Sequence, residues 1–303
     1  MVFKFGSFYD KMIKNDGEGE ILLKKDFLHK TIAISGSTGG LGKALCYHIA
    51  ERGGNILMLD RNEQKASLLK AELLEKFPNI NIDFLRLDLE DFSDVKSVAE
   101  ALKSSPPDYL ILNAGAYSIP RHKTSLGFDN VFQINYLSPY YLSRQLLPQI
   151  REKGGKIVAV GSIAHNYSKT DDNDIDFSKQ TRASRVYGNA KRRLMFSLFS
   201  LESENITVAH PGISFTGITA HYPKLVFAII KYPMKIIFMK PKRASLSILK
   251  GLYESPEGNR WIGPRFFGIW GRPKTKALKT CDQAEQGRIN AVSERLYSNL
   301  LSQ

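Results

Sequence analysis

Between Lys30 and His210, six short runs rich in β-branched residues alternate with amphipathic stretches, and few architectures accommodate that rhythm. An apolar run needs cover on both faces, and helices crossing between parallel strands supply it. The spacing predicts strands over 31–35, 55–60, 80–87, 109–113, 156–161 and 207–210, with helices over 41–52, 63–77, 93–103, 128–150 and 184–201. The expected architecture is α/β: a doubly wound parallel sheet forming one domain over residues 30–303, preceded by an N-terminal extension over 1–29. No repeat or low-complexity linker leaves room for a separate catalytic domain, so any chemistry must sit on the sheet itself.

The first run, Thr31-Ile32-Ala33-Ile34, leads into Ser35-Gly36-Ser37-Thr38-Gly39-Gly40-Leu41-Gly42 and then a helical pattern. In that setting a glycine turn is a dinucleotide cradle of the Rossmann type. Gly36 permits the tight turn, Gly40 lets backbone approach a pyrophosphate, Gly42 lets helix and strand pack closely, and the helix N-terminus turns unpaired N–H groups toward phosphate. Ser37 and Leu41 belong to the same cradle. Asp60 closes the second strand, where a carboxylate accepts both adenosine-ribose hydroxyls and repels a 2′-phosphate. Arg61 beside it instead suits that phosphate. The turn itself holds no basic residue, so NAD is preferred over NADP. Asp88-Leu89 follows the third strand, where the carboxylate either meets the adenine amino group or caps the next helix. Asn113-Ala114-Gly115 ends the fourth strand with small residues, leaving room for cofactor across the strand ends.

Ser162 ends the fifth strand in Val160-Gly161-Ser162 and points toward the ligand crevice or caps a turn. Tyr187 and Lys191, four apart, share one helix face. A tyrosine with a pKa of roughly 10 is a weak base at neutral pH, but a nearby lysine and an oxidised nicotinamide both favour tyrosinate. Ser162 would hold the substrate oxygen and Lys191 the nicotinamide ribose as well. The pattern describes hydride exchange between nicotinamide and an alcohol or carbonyl carbon.

The formal net charge of +13 is concentrated: residues 217–276 hold twelve Lys/Arg against Glu254 and Glu257. No aromatic RNA-binding motif or zinc-finger spacing accompanies it, so nucleic acid is not an expected partner. Pro223, Pro233 and Pro241 punctuate the apolar run over 224–240, and its longest uncharged stretch, Leu225–Ile230, is too short for the ~20 residues of a membrane span. Residues 214–243 read as a helical, basic substrate lid, with peripheral contact to a membrane surface as an alternative role. Met1 to Ile13 do not read as a signal peptide, and Cys46 and Cys281 show no disulfide or metal-ligand spacing, so a cytoplasmic setting is expected, with a peripheral membrane location as the alternative. A homo-oligomer is compatible with the sequence.

Taken together, the glycine turn, Asn113-Ala114-Gly115, Asn135, Ser162, Tyr187-x-x-x-Lys191 and Pro211-Gly212 resemble the short-chain dehydrogenase/reductase family over about residues 30–216. The resemblance implies that Asn135 helps a water-linked proton relay to Lys191, and that Pro211, Gly212, Ile213 and Thr216 lie beside the nicotinamide. Gln133-Ile134-Asn135-Tyr136-Leu137-Ser138, Ser162-Ile163-Ala164-His165, Tyr187-Gly188-Asn189-Ala190-Lys191 and Trp261-Ile262-Gly263-Pro264 are similar to the retinol-dehydrogenase-like branch, which implies a lipophilic alcohol or ketone such as a retinoid or steroid. That branch usually has a small residue where this chain has Asp60, and it often has an N-terminal anchor that is not evident here. Two other functions compete: a nucleotide-sugar epimerase/dehydratase, which also uses Tyr-x-x-x-Lys but with a larger C-terminal domain, and a nucleotide-binding regulator without turnover.

Overall fold

The computed structural model describes residues 26–212 and 239–302. Most of the expected lid, and residues 1–25 of the extension, lie outside them. Five parallel strands follow the predicted rhythm: β1 (Thr31–Ser35), β2 (Asn55–Asp60), β3 (Ile82–Arg86), β4 (Tyr109–Leu112) and β5 (Lys156–Val160). They are separated by helices α1 (Gly40–Ala50), α2 (Glu63–Lys76), α3 (Phe92–Ser104) and α4, which comprises Asn130–Phe132, a π-helical segment Gln133–Leu137 and Ser138–Glu152. Helix α5 (Ala183–Phe199) and strand β6 (Ile206–Ala209) complete the expected set. The ends move by one or two residues where the last ladder or helical hydrogen bond falls.

Beyond the predicted set lie two short helices, α6 (Pro241–Ala244) and α7 (Leu246–Gly251), an antiparallel hairpin of β7 (Arg260–Phe266) and β8 (Trp270–Ala277), and α8 (Gln283–Leu301). The strand order is β3-β2-β1-β4-β5-β6-β7-β8. All neighbours are parallel except β7 and β8. The order reverses between β1 and β4, and that switch point opens a crevice at the carboxyl ends of the strands.

Two apolar clusters cover the two faces of the sheet. Ile32, Ile34, Ile56 and Met58 are fully buried on one face under α1 and α2; each such side chain is worth about 1.5–3 kcal/mol of transfer free energy. The packed body reaches back to Phe27, which is buried and stacks on Tyr253 at 5.3 Å. On the other face, α8 lies over α4 and α5, burying Ile289, Leu296 and Leu300. The Tyr136 hydroxyl meets Ser293 at 2.6 Å in that interface. Among the described residues, no helix is long and apolar enough to cross a membrane.

Candidate active site

The glycine turn is shaped by close approaches that only glycine allows. Gly36 has φ +68°, and a Cβ there would stand 3.0 Å from Ala114 Cα. A Cβ on Gly42 would lie 2.1 Å from the Gly36 carbonyl oxygen, so α1 starts almost in contact with the turn. Helix α1 begins at Gly40 with Gly39 at its N-cap; no side chain caps it and no carboxylate lies in its first turn. Its terminal N–H groups therefore keep their affinity for an anion. A dinucleotide's pyrophosphate suits this end of the crevice on donor chemistry and space alone. Ser37 and Leu41 are buried beneath the turn.

The Asp60 side chain is turned to the glycine turn. Its carboxylate accepts from Ser37 N at 3.1 Å and Ser37 Oγ, and from Thr38 N at 3.1 Å and Thr38 Oγ1 at 2.8 Å. Four donors use both oxygens, and the side chain is buried. Asp60 clamps the turn and has no lone pair left for the ribose hydroxyls. Arg61, by contrast, leaves the strand end with a side chain 70% exposed, its guanidinium 3.9 Å from Asp88. Asp88 accepts from Glu90 N at 3.1 Å, and Asp91, three residues on, caps α3. Leu89 is buried in the core below.

Asn113 ties the end of β4 to the turn, its Nδ2 donating to the Ser35 and Gly36 carbonyls at 3.0 Å. The backbone N–H groups of Asn113 and Ala114 both reach Ser35 Oγ at 3.0 Å. Gly115 comes next, and a Cβ there would lie 2.8 Å from Asn135 Oδ1 and 3.7 Å from Lys191 Nζ. Asn135 sits in the π-helical segment, and its Nδ2 donates to the Val131 carbonyl at 2.9 Å and the Ala116 carbonyl at 2.8 Å. The π-turn explains the break in the helix expected over 128–150.

Ser162, Tyr187 and Lys191 meet at the ends of β5 and α5. Gly188 allows this: a Cβ there would lie 2.4 Å from the Ala164 oxygen, so α5 runs against the segment that follows Ser162. The Ser162 hydroxyl is the polar partner of the Tyr187 hydroxyl, and it also accepts from Ala164 N at 3.2 Å. Burial pushes the Tyr187 hydroxyl up to about 12, against the lowering effect of Ser162. Lys191 is buried, lies 5.8 Å from the Tyr187 ring centre and donates to the Val160 carbonyl at 2.9 Å. Burial lowers its pKa to about 8. Tyr117 packs edge-on against Tyr187 at 5.3 Å, lining this end of the crevice with aromatic surface.

Pro211 and Gly212 follow β6 at the same edge, and Gly212 adopts φ +82° with the Ile269 oxygen 2.6 Å from where a Cβ would stand. Ile213 and Thr216 lie outside the described residues. Two supports escaped the sequence reading. Arg192, next to Lys191, forms a buried ion pair with Glu285 of α8, through Nε at 2.7 Å and through Nη2. It also donates to the His165 and Thr280 carbonyls at 3.2 Å each. His165 is a structural ring: its Nδ1–H donates to the Ser162 carbonyl at 2.7 Å, and Nε2 accepts from Thr280 Oγ1 at 2.8 Å. The capping pattern Asp282-x-x-Glu285 was a legible signal for α8, but nothing local marked Arg192 as its partner.

A family model described as short chain dehydrogenase matches residues 30–171. A chloroplastic short-chain dehydrogenase of Brassica napus, TIC 32 A, is 31% identical over 215 residues, which is 65% of this chain and 67% of that protein. Human polyprenol dehydrogenase is 27% identical over 203 residues, covering 62% of each chain. The match thus spans about three fifths of that human relative's length. Among solved structures, a short-chain dehydrogenase from Sphingobium yanoikuyae in complex with NADPH superposes with a TM-score of 0.57 at 18% identity. The superposition covers 89% of this chain and 95% of that one, a likeness of fold.

Proposed function

We propose that this chain, which belongs to the short-chain dehydrogenase/reductase family, exchanges a hydride between NADP(H) and the alcohol or carbonyl carbon of a lipophilic substrate. One arrangement carries the reading: Ser162, Tyr187 and Lys191 converge at the carboxyl edge of the sheet, beside the strand ends that flank the nucleotide cradle. When bound, the nicotinamide supplies or accepts the hydride. The chain's own residues manage the proton.

Tyr187, protonated at neutral pH, is the donor to a carbonyl oxygen that the Ser162 hydroxyl holds in place. As the proton leaves, the Ser162 hydrogen bond and the Lys191 charge stabilise the phenolate. With a pKa of about 8, Lys191 keeps that charge at neutral pH. The space left by the missing Gly115 side chain separates Asn135 Oδ1 from Lys191 Nζ, and a water there would link the two.

The cofactor preference rests on the strand end after β2. Four donors of the turn engage Asp60 and offset its charge, and exposed Arg61 is the group that reads a 2′-phosphate. The NADPH of the Sphingobium enzyme agrees with that choice. A lipophilic substrate fits the aromatic flank formed by Tyr117 and by Tyr167, which is 53% exposed, and the alcohol for which polyprenol dehydrogenase is named.

The decisive experiment is Tyr187→Phe, which keeps the ring and removes the proton. Turnover of long-chain alcohols and ketones with NADP(H) should fall by about 10²–10⁴-fold, the range for lost general acid–base catalysis, while cofactor binding by fluorescence titration stays close to wild type. Near-normal turnover in that variant would sink the mechanism.

A further inference from the structure

We propose that the tip of the β7–β8 hairpin is a docking surface for an anionic lipid bilayer, and that it holds the mouth of the active site against that surface. Only the benefit to a lipophilic substrate rests on the reading above; the lipid contact stands on its own observations.

The tip exposes Phe266, Phe267 and Trp270, with Phe267 86% accessible. Phe266 and Trp270 are cross-strand partners and therefore share a face. The turn between them makes the exposure hard to explain by folding alone. Phe267 and Gly268 both have left-handed backbone, at φ 51° and 71°, and Ile269 N donates to the Phe266 carbonyl at 2.9 Å. Such a turn is cheapest as Asn-Gly, and a bulky aromatic at its first central position is strained. The chain carries that strain while presenting the ring to water. A ring with an intermolecular role accounts for both.

Charge identifies the partner. From Gly258 to Cys281 there are Arg260, Arg265, Arg272, Lys274, Lys276 and Lys279, and no Asp or Glu. The carboxylate of Glu254 reaches the hairpin at Thr275, toward its base, where it also pairs with Lys250. Aromatic rings at an exposed tip, flanked by Arg265 and Lys274 in a segment whose own sequence carries no acidic residue, match the polar–apolar boundary of a membrane with anionic headgroups.

Position links the tip to the chemistry. Strand β7 runs parallel to β6, so its end projects from the sheet edge that carries Ser162 and Pro211. His210 Nε2–H donates to the Gly268 carbonyl at 3.0 Å, and a Cβ on Gly268 would lie 3.3 Å from the Ile163 side chain. The inner side of the tip is thus braced against residues adjoining the catalytic serine, while its outer side faces away.

The chain has two tryptophans, and Trp261 is buried against His210 at 5.2 Å, so Trp270 reports on the tip. Purified full-length protein should sediment with phosphatidylcholine/phosphatidylserine vesicles more than with pure phosphatidylcholine, and Trp270 emission should shift to the blue and lose acrylamide quenching. Phe267→Asn relieves the backbone and should fold well, yet lower vesicle partitioning by about tenfold or more, the value of burying one such ring. Arg265→Gln and Lys274→Gln should each cost roughly fivefold on anionic vesicles, the weight of one cation near the surface. Wild type that stays in the supernatant, or Phe267→Asn that partitions equally, overturns the proposal. So does self-association that Phe267→Asn abolishes without any vesicle binding. Turnover of a detergent-dispersed alcohol without vesicles separates the two readings: its absence alongside intact vesicle binding refutes the catalytic one and leaves this one standing.

Discussion

Replacing Glu285 with alanine should destabilise the protein far more than its place beyond the sheet suggests. The Arg192 and Glu285 side chains are each 7% exposed, so solvent screens the pair little. The substitution leaves a guanidinium in the interior with, among the described residues, the His165 and Thr280 carbonyls and the Phe196 ring, and strips the acceptor from Thr170 N and Oγ1. Removing one partner of a buried ion pair costs about 3–5 kcal/mol. Arg192 and the Thr170 donors also hold the Glu285 carboxyl down at about 2. Because the folded-state value is depressed, the stabilisation is fully present above the unfolded carboxylate value and is lost as pH falls through about 2. A shift of about two units corresponds to about 3 kcal/mol, in agreement with the first figure. Urea denaturation at pH 7 and pH 4 should therefore show the deficit of Glu285→Ala shrinking in acid. At pH 7 the melting temperature should fall by on the order of 10 °C. Arg192→Met/Glu285→Met removes both charges and should recover much of the loss. A deficit within about 0.5 kcal/mol of wild type, or full additivity in the double variant, refutes the argument.

Two further outcomes test the nucleotide cradle. Gly42→Ala places a methyl group 2.1 Å from the Gly36 oxygen, so the turn must shift; NADP(H) affinity by fluorescence titration should drop at least about tenfold, with about 1–3 kcal/mol of stability lost to overpacking. Arg61→Ala should raise the KM for NADP by about tenfold, as expected for one charge-assisted contact to phosphate, and leave the KM for NAD unchanged; equal effects on both would remove Arg61 from selectivity.

What was legible in the sequence had short-range causes. Tyr187 and Lys191 share a helix face because they are four apart, and Gly36 and Gly42 bend a turn that follows directly from β1. Strand ends at Ser162 and Asn113 follow from the same alternation that set the sheet. The engagement of Asp60 with the turn was not legible because its carboxylate accepts from residues 22 and 23 positions earlier, a choice that no local pattern encodes. The hairpin was missed because Pro264 and Pro273, which face each other across β7 and β8, suppress the strand signal. β8 is an edge strand, a position where proline is tolerated.

The same edge explains why the chain needs structure after β6. A sheet ending at Ala209 would leave β6 unpaired along one side and His210 open to water. Strand β7 covers it: Trp261 stacks on His210, and His210 reaches across to Gly268. Burial in that sandwich pushes the His210 imidazole down to about 4, so it stays neutral and serves as a strut rather than a titrating group. A neutral strut gives the hairpin a fixed bearing on the strand ends across the physiological pH range. The aromatic tip can therefore be presented at a constant angle beside Ser162, which a surface contact serving that site requires.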